Sequence, residues 1–255
     1  MRSFIINLDR SPDRLDKMQA QFAKHGACME RVHAVDGLKY EGHYLNKSFC
    51  MLGKRQLSTS EIACFLSHRL CWEKIASGSD DYAAVFEDDM ILSEKAWDLI
   101  KNGAAWLNTI DLLKIETYND RLYFQRNSHR VSDIFKLKRM LSFHAGTGGY
   151  IISKKTAALL LTLTDDSLPC PVDHYLFNNE CFPTISKKIY QLVPAISIQS
   201  RRQDNALAEE STIQPEITEQ IDAPRIKKTL SIRVYKCAQS TWRFLFYKKM
   251  KIPVS

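Results

Sequence analysis

The chain has 255 residues, 45% hydrophobic and 25% charged, with a formal charge of +7. That length and balance fit one large domain with a real core plus a short appendage; no repeat or low-complexity block interrupts it. No apolar run approaches the ~18 residues that a bilayer crossing needs, and Met1, Arg2 and Ser3 lead into a short strand-like run rather than a signal peptide, so a cytoplasmic protein is expected. The seven cysteines are scattered and none forms a C-x-x-C pair, which argues against a zinc knuckle or a disulfide scaffold and for reduced thiols.

In chain order, Phe4 to Leu8 reads as a strand, and Ser11 before Pro12 gives a helix start, with Leu15, Met18 and Phe22 recurring at helical spacing. Strand, tight turn and helix open a βαβ unit whose turn would carry Asn7, Arg10 and Arg14 toward a nucleotide, with a helix N-terminus for phosphate. Arginines in such a turn are equally compatible with plain solvation. Cys28 to Val35 reads as a second strand ending at Asp36 and Gly37, and residues 38 to 57 as a loop-rich insertion placed to close over a ligand.

Ser58 with Glu61 fits a capping box, and Ile62, Phe65, Leu66, Leu70 and Ile75 supply the stripe of a long amphipathic helix. His68 lies in its middle, where a core histidine and a substrate contact are equally compatible with the spacing. Tyr82 to Phe86 is a buried-type strand that runs straight into Glu87, Asp88 and Asp89. Adjacent carboxylates at a strand end repel one another and lose hydration if buried, so a divalent cation is their economical partner; a solvated acidic turn is the alternative.

Residues 94 to 107 read as a helix and Asp111 to Thr117 as a strand; residues 118 to 143 are mixed and basic and have no assigned element. His144 to Gly149 is a glycine-rich turn before a strand at Tyr150 to Ser153, without the Gly-Lys-Ser/Thr of a Walker loop; its glycines would let backbone approach a ligand. A helix at 154 to 163 follows, then a rigid turn at Pro169 to His174 presenting Asp173, with another helix starting at Tyr175. Ile189 to Ile198 reads as a last strand, at an edge because Pro194 interrupts it.

Asn7 to Arg14, Arg31 to Gly37, Glu61 to His68 with Trp72, Ala84 to Asp89, Gly146 to Ser153 and Pro171 to His174, in this order over about residues 1 to 200, resemble glycosyltransferase family 25. These are the bacterial lipooligosaccharide galactosyltransferases and their collagen-modifying relatives. The resemblance implies an α/β, GT-A-like Rossmann-type domain, a UDP-sugar donor (UDP-galactose most often), Mn2+ or Mg2+, and inversion at the anomeric carbon. By position, Glu87 to Asp89 resemble the Asp-x-Asp metal motif. Asp89 is then the direct metal ligand, and Glu87 a second ligand or a group acting through water or the ribose. Asn7, Arg10, Arg14, Asp36, Asp88 and Thr147 would hold the nucleotide sugar. Glu61 and His68 would line the sugar and acceptor side, with Thr147 and Tyr150 as further acceptor contacts and core packing as the favoured role of Tyr150. Asp173 is the candidate catalytic base, with a second metal ligand assisted by His174 as the alternative.

Beyond the resemblance, residues 203 to 224 hold six acidic residues and no basic one and read as a linker from 201 to 224. Nine basic residues and no acidic one fall between Arg225 and Lys251, which leaves the rest of the chain near neutral. Residues 225 to 255 thus read as a basic amphipathic helical tail suited to an anionic membrane surface, and a helix packed back on the domain fits the same pattern. The expectation is an enzyme attached peripherally to the inner face of the inner membrane, acting on a lipid-linked oligosaccharide and not binding nucleic acid. A catalytically silent carbohydrate-binding module and a nucleic-acid binder suggested by a pI near 9.0 are the rival classes.

Overall fold

The computed structural model describes residues 1–50, 53–118, 121–178, 189–203 and 247–255. Strand β1 (Arg2–Asn7) leads into helix α1 (Pro12–Lys24), and β2 (Glu30–His33) returns parallel to β1, closing the expected βαβ unit. Residues 38 to 57 carry a 3-10 turn at His43–Leu45 and a small hairpin of β3 (Phe49–Cys50) and β4 (Arg55–Gln56). Helix α2 (Thr59–Ser77) starts with the expected capping box between Ser58 and Glu61.

After β5 (Tyr82–Glu87) come β6 (Met90–Leu92) and α3 (Ala96–Asn102). The helix expected over 94 to 107 breaks at Gly103, whose φ of +64° is a left-handed conformation, and continues as a 3-10 turn at Ala105–Thr109. Strand β7 (Leu112–Lys114) is shorter than expected, and the unassigned basic stretch forms β8 (Arg121–Gln125), β9 (His129–Arg130) and β10 (Lys136–Arg139). Strand β11 (Gly149–Ser153), α4 (Lys154–Leu163), α5 (Val172–Phe177), β12 (Ile189–Val193), β13 (Ser197–Gln199), α6 (Ser200–Gln203) and β14 (Tyr247–Lys251) complete the described elements.

The main sheet runs β2-β1-β5-β11-β7-β12-β10-β9. Strands β2, β1 and β5 are parallel, β11 lies antiparallel beside β5, and β7 and β12 resume the parallel direction beyond it. One expectation is overturned here: β12 is interior, between β7 and β10, and Pro194 falls just past its last residue, where no ladder hydrogen bond is lost. Strand β13 belongs to a separate pair with β6.

Both faces of the sheet are covered, as a largely parallel sheet requires. Phe4, Val85, Tyr150 and Ile152 face α2, α4 and α5; Ile5, Phe86 and Ile151 face α1 and α3 through Phe22 and Trp97. Helix α2 is not amphipathic in the expected sense: Ile62, Phe65, His68, Arg69, Cys71 and Trp72 are all buried, because the helix is covered beyond its sheet-facing side. At the C-terminus, Tyr247–Lys251 pair antiparallel with β8 as a strand, so the expected tail helix does not extend to these residues. Residues 204 to 246, with the acidic linker and most of the basic tail, lie outside the described residues.

Candidate active site

The carboxyl end of β5 opens into a cleft of about 740 Å3, walled by the βα turn after β1, the start of α2, the turn at 146–147, the start of α5 and the end of β13. This size suits a nucleotide-sized ligand, and the position is where open α/β sheets bind ligands.

Consecutive side chains alternate across a strand end, and Glu87 and Asp88 diverge accordingly. Asp88 turns toward β1: its Oδ2 accepts a 2.7 Å bond from Asn7 Nδ2, and Arg14 lies 3.4 Å from Oδ1. Burial raises the Asp88 pKa, and Asn7 and Arg14 offset part of that rise. Asn7 is buried and does not line the cleft; it holds Asp88 and the Ser11 carbonyl. Arg10 lines the cleft while paired with Asp36, which also accepts from the Leu38 N–H at 3.0 Å.

Glu87 turns the other way. Its Oε1 accepts from Thr147 Oγ1 at 2.7 Å and lies 3.5 Å from His68 Nε2. Burial works to raise the Glu87 pKa, but the His68 and Thr147 contacts and the Lys114 charge outweigh it, and the net direction is down. Cys64 Sγ, a ring nitrogen of His68 and a Glu87 oxygen lie within 4.8 Å of one another.

Asp89 is the carboxyl of the three whose pKa is raised furthest. Burial, then Glu87, then Asp88 push its pKa up to about 7. Its Oδ1 is buried without a hydrogen-bond partner. A buried carboxylate oxygen with no donor, beside two further carboxylates, is the donor set of a hard divalent cation, so these residues fit the metal that the family resemblance implies. The Asp89 carbonyl accepts from Ser200 N–H at 2.8 Å, which brings Arg201 to the cleft.

The glycine-rich turn walls the cleft through Gly146, and its glycines also pack closely on the protein itself. A Cβ on Gly146 would fall on the Tyr118 phenol, one on Gly148 on Met90 Sδ, and one on Gly149 on Ser197 Oγ. Close packing against the protein's own side chains therefore requires these glycines. Beneath the turn, buried Lys114 donates to Glu116 Oε1 at 2.8 Å, to the Ala145 carbonyl at 3.1 Å and to the Gly146 carbonyl. The turn in turn presents Thr147 to Glu87 and donates Gly146 N–H to Asp173 Oδ2 at 3.1 Å. Asp173 stands in the first turn of α5 and lines the cleft.

Three expected residues have other engagements. Glu61 lines the cleft but accepts two bonds from Arg55, at 2.7 and 2.6 Å, and one from Ser58 N–H at 2.9 Å. Burial would raise its pKa; Arg55 and Ser58 bring it below the usual value. His174 stacks on Phe143 with ring centroids 4.0 Å apart and meets Asn178 at 3.2 Å. Tyr150 is fully buried and reaches no acceptor; its hydroxyl meets His68 and Trp72. Tyr118, four residues past β7, Gln199, the last residue of β13, and Arg201, two residues further on, also line the cleft, and only their places at these strand ends could have flagged them.

A mixed sheet with an acidic cluster at the end of a central parallel strand defines an α/β, GT-A-like protein of the Rossmann type. The description of glycosyltransferase family 25 (LPS biosynthesis protein) matches residues 1–176, and the chain belongs to this family. It is 30% identical to the lipooligosaccharide biosynthesis protein lex-1 of Haemophilus influenzae, over 77% of this chain and 68% of that protein. It is 33% identical to the lacto-N-neotetraose biosynthesis glycosyltransferase LgtB of Neisseria gonorrhoeae, over 78% of this chain and 74% of that one. Among solved structures, a glycosyltransferase involved in glycosylating the major capsid of PBCV-1 aligns with 78% of this chain and 91% of its own at 9% identity and a TM-score of 0.39.

Proposed function

We propose that this glycosyltransferase moves a hexose, galactose from UDP-galactose, onto a lipooligosaccharide acceptor with inversion, giving a β linkage. The buried, donor-less Oδ1 of Asp89 among three carboxylates carries the reading. Asp89 would hold Mn2+ or Mg2+, with Asp88 held beside it by Asn7 and Arg14. Such an ion neutralises the diphosphate as UDP leaves.

Arg10 and Arg14, at the start of α1, supply positive charge for the diphosphate. Asp173 takes the proton of the incoming acceptor hydroxyl: it lines the cleft, and Gly146 N–H and His174 N–H fix its carboxylate, at 3.1 and 2.8 Å. The acceptor class follows from the names of the relatives, which concern lipooligosaccharide synthesis. Peripheral attachment to the inner membrane face suits such a lipid-linked acceptor, and no helix among the described residues is long and apolar enough to cross a membrane.

The test is UDP release from a panel of UDP-sugars with manganese, with chelator and with Asp89→Ala, scored beside UDP binding. Manganese-dependent turnover of UDP-galactose, lost with chelator and in the variant, is the expected result. Turnover unchanged in Asp89→Ala would refute the metal assignment, and turnover of another donor alone would refute galactose.

A further inference from the structure

The indole N–H of Trp72 can only donate a hydrogen bond. It lies 3.0 Å from the Tyr150 hydroxyl oxygen, which must therefore accept. Tyr150 Oη also lies 2.9 Å from His68 Nδ1. All three side chains are at most 1% exposed. A buried hydroxyl proton left without an acceptor is costly, and among the described residues His68 Nδ1 is the acceptor within reach. Tyr150 therefore donates to Nδ1, and an imidazole that accepts there carries its proton on Nε2. That nitrogen is buried and faces Glu87 Oε1 at 3.5 Å, a long contact of the kind that shortens when a ligand is bound.

Thr147 donates to the same oxygen at 2.7 Å. Both protein donors thus face Glu87 Oε1, whereas no described residue bonds Oε2, and Glu87 lines the cleft. Asp88 holds the β1 side with Asn7 and Arg14, whereas Glu87 holds the side of Thr147, next to the Gly146 that binds Asp173. With Asp173 as the proposed base, that side is the one the reacting sugar would face.

We propose that Trp72 and Tyr150 are positioning residues that hold His68 as the Nε2–H tautomer, and that this hydrogen-bond chain reserves Glu87 Oε2 to accept from a hydroxyl of the transferred hexose. The inference rests on reading the cleft as a nucleotide-sugar site. It also assigns a role to the Cys64, His68 and Glu87 group: an ion there would need the Nε2 lone pair, and the chain puts a proton on it.

The experiment uses the full chain labelled with 15N-histidine, with the His68 signals identified by their loss in His68→Gln. Long-range proton–nitrogen correlation should show neutral His68 with its proton on Nε2. In Tyr150→Phe the Nδ1 partner is gone, and the tautomers should mix. Kinetics on Tyr150→Phe and Trp72→Phe should show UDP affinity within twofold of wild type, while KM for the UDP-sugar rises about tenfold, on the scale of one hydrogen bond to a charged group. His68 protonated on Nδ1 in the wild-type protein would overturn the chain, as would loss of the Nε2–H signal on adding Zn2+ alone. A mixed tautomer with KM unchanged would overturn the role of Oε2. Absence of UDP binding in the wild type would overturn the donor-site reading instead, while the tautomer still decides the chain. The tautomer is read on the wild-type protein, with His68→Gln used only to assign its signals, so a Tyr150 or Trp72 variant that fails to fold does not shelter the proposal.

Discussion

The two sides of the carboxylate cluster solve opposite problems. On the β1 side, Asp88 meets Asn7 and Arg14, and Arg10 pairs with Asp36: two arginines set against two carboxylates beside a buried amide, four of the five from the βαβ unit and the turns that follow its strands. On the other side, Glu87 meets Thr147 and His68, with Tyr150, Trp72 and Lys114 buried behind. The first side supplies arginines already paired with carboxylates, Arg10 with Asp36 and Arg14 with Asp88, which suits a diphosphate that must enter and leave. The second supplies fixed donors in a dry setting, where direction rather than charge is controlled and hydrogen bonds are stronger.

The comparison breaks most visibly at Asp173, which stands on the second side. If it takes the acceptor proton, Asp173→Asn should lower kcat by about two to four orders of magnitude with UDP binding intact. Steady-state kinetics beside a UDP titration checks this, and a loss confined to UDP affinity would move Asp173 to the metal.

Lys114 comes next, because it holds the turn that serves both Glu87 and Asp173. Lys114→Met leaves Glu116 a buried carboxylate without its cation, at a cost of about 3–5 kcal/mol. The urea midpoint should fall accordingly. Replacing both members, Lys114→Met with Glu116→Leu, should recover much of that stability while kcat stays low, because the Ala145 and Gly146 carbonyls still lack their donor. Recovery of kcat as well would show that the pair serves stability alone.

Asn7→Ala tests the first side. It removes one bond to Asp88 and leaves Arg14 in place, so UDP affinity should weaken about tenfold, the scale of one hydrogen bond to a charged group, with little change in kcat. An equal fall in kcat would mean that the two sides are not separable.

The difference between the sides also explains what was legible in the sequence. The β1 side is written locally: a strand, then Ser11 and Pro12, places Arg10 and Arg14 within one turn, and the βαβ unit follows from hydrophobic pattern alone. The second side is assembled by sheet order. Strand β11 inserts antiparallel between β5 and β7, and that pairing brings Thr147 to Glu87 across 60 residues and Tyr150 to His68 across 82. No local spacing encodes it. Tyr150 reads as an acceptor contact or packing, Trp72 only as part of a motif and His68 as ambiguous for that reason, and the turn glycines, of which Gly146 does line the cleft, do not reveal that they also pack against Tyr118, Met90 and Ser197. Interior β12 was mistaken for an edge because a proline just past a strand looks like one within it.

The smallest expected effect concerns Glu61, which faces the same cleft but is bound into the start of α2. Its folded pKa lies below the ordinary carboxylate value through Arg55 and Ser58, against the opposing pull of burial. A depressed folded pKa stabilises the fold at pH above the unfolded value, and that contribution is lost as pH falls through the lowered folded value. Arg55 is itself 41% exposed, so solvent screening keeps the pair's worth to about 1 kcal/mol or less at neutral pH. Arg55→Gln should therefore lower the unfolding free energy slightly at pH 7, and the gap from wild type should close as the pH drops below the ordinary glutamate range. Urea titrations of both proteins across acidic pH decide the matter. A gap that stays constant down to the acid limit would mean that Arg55 stabilises through packing, leaving the Glu61 carboxylate free to serve the cleft.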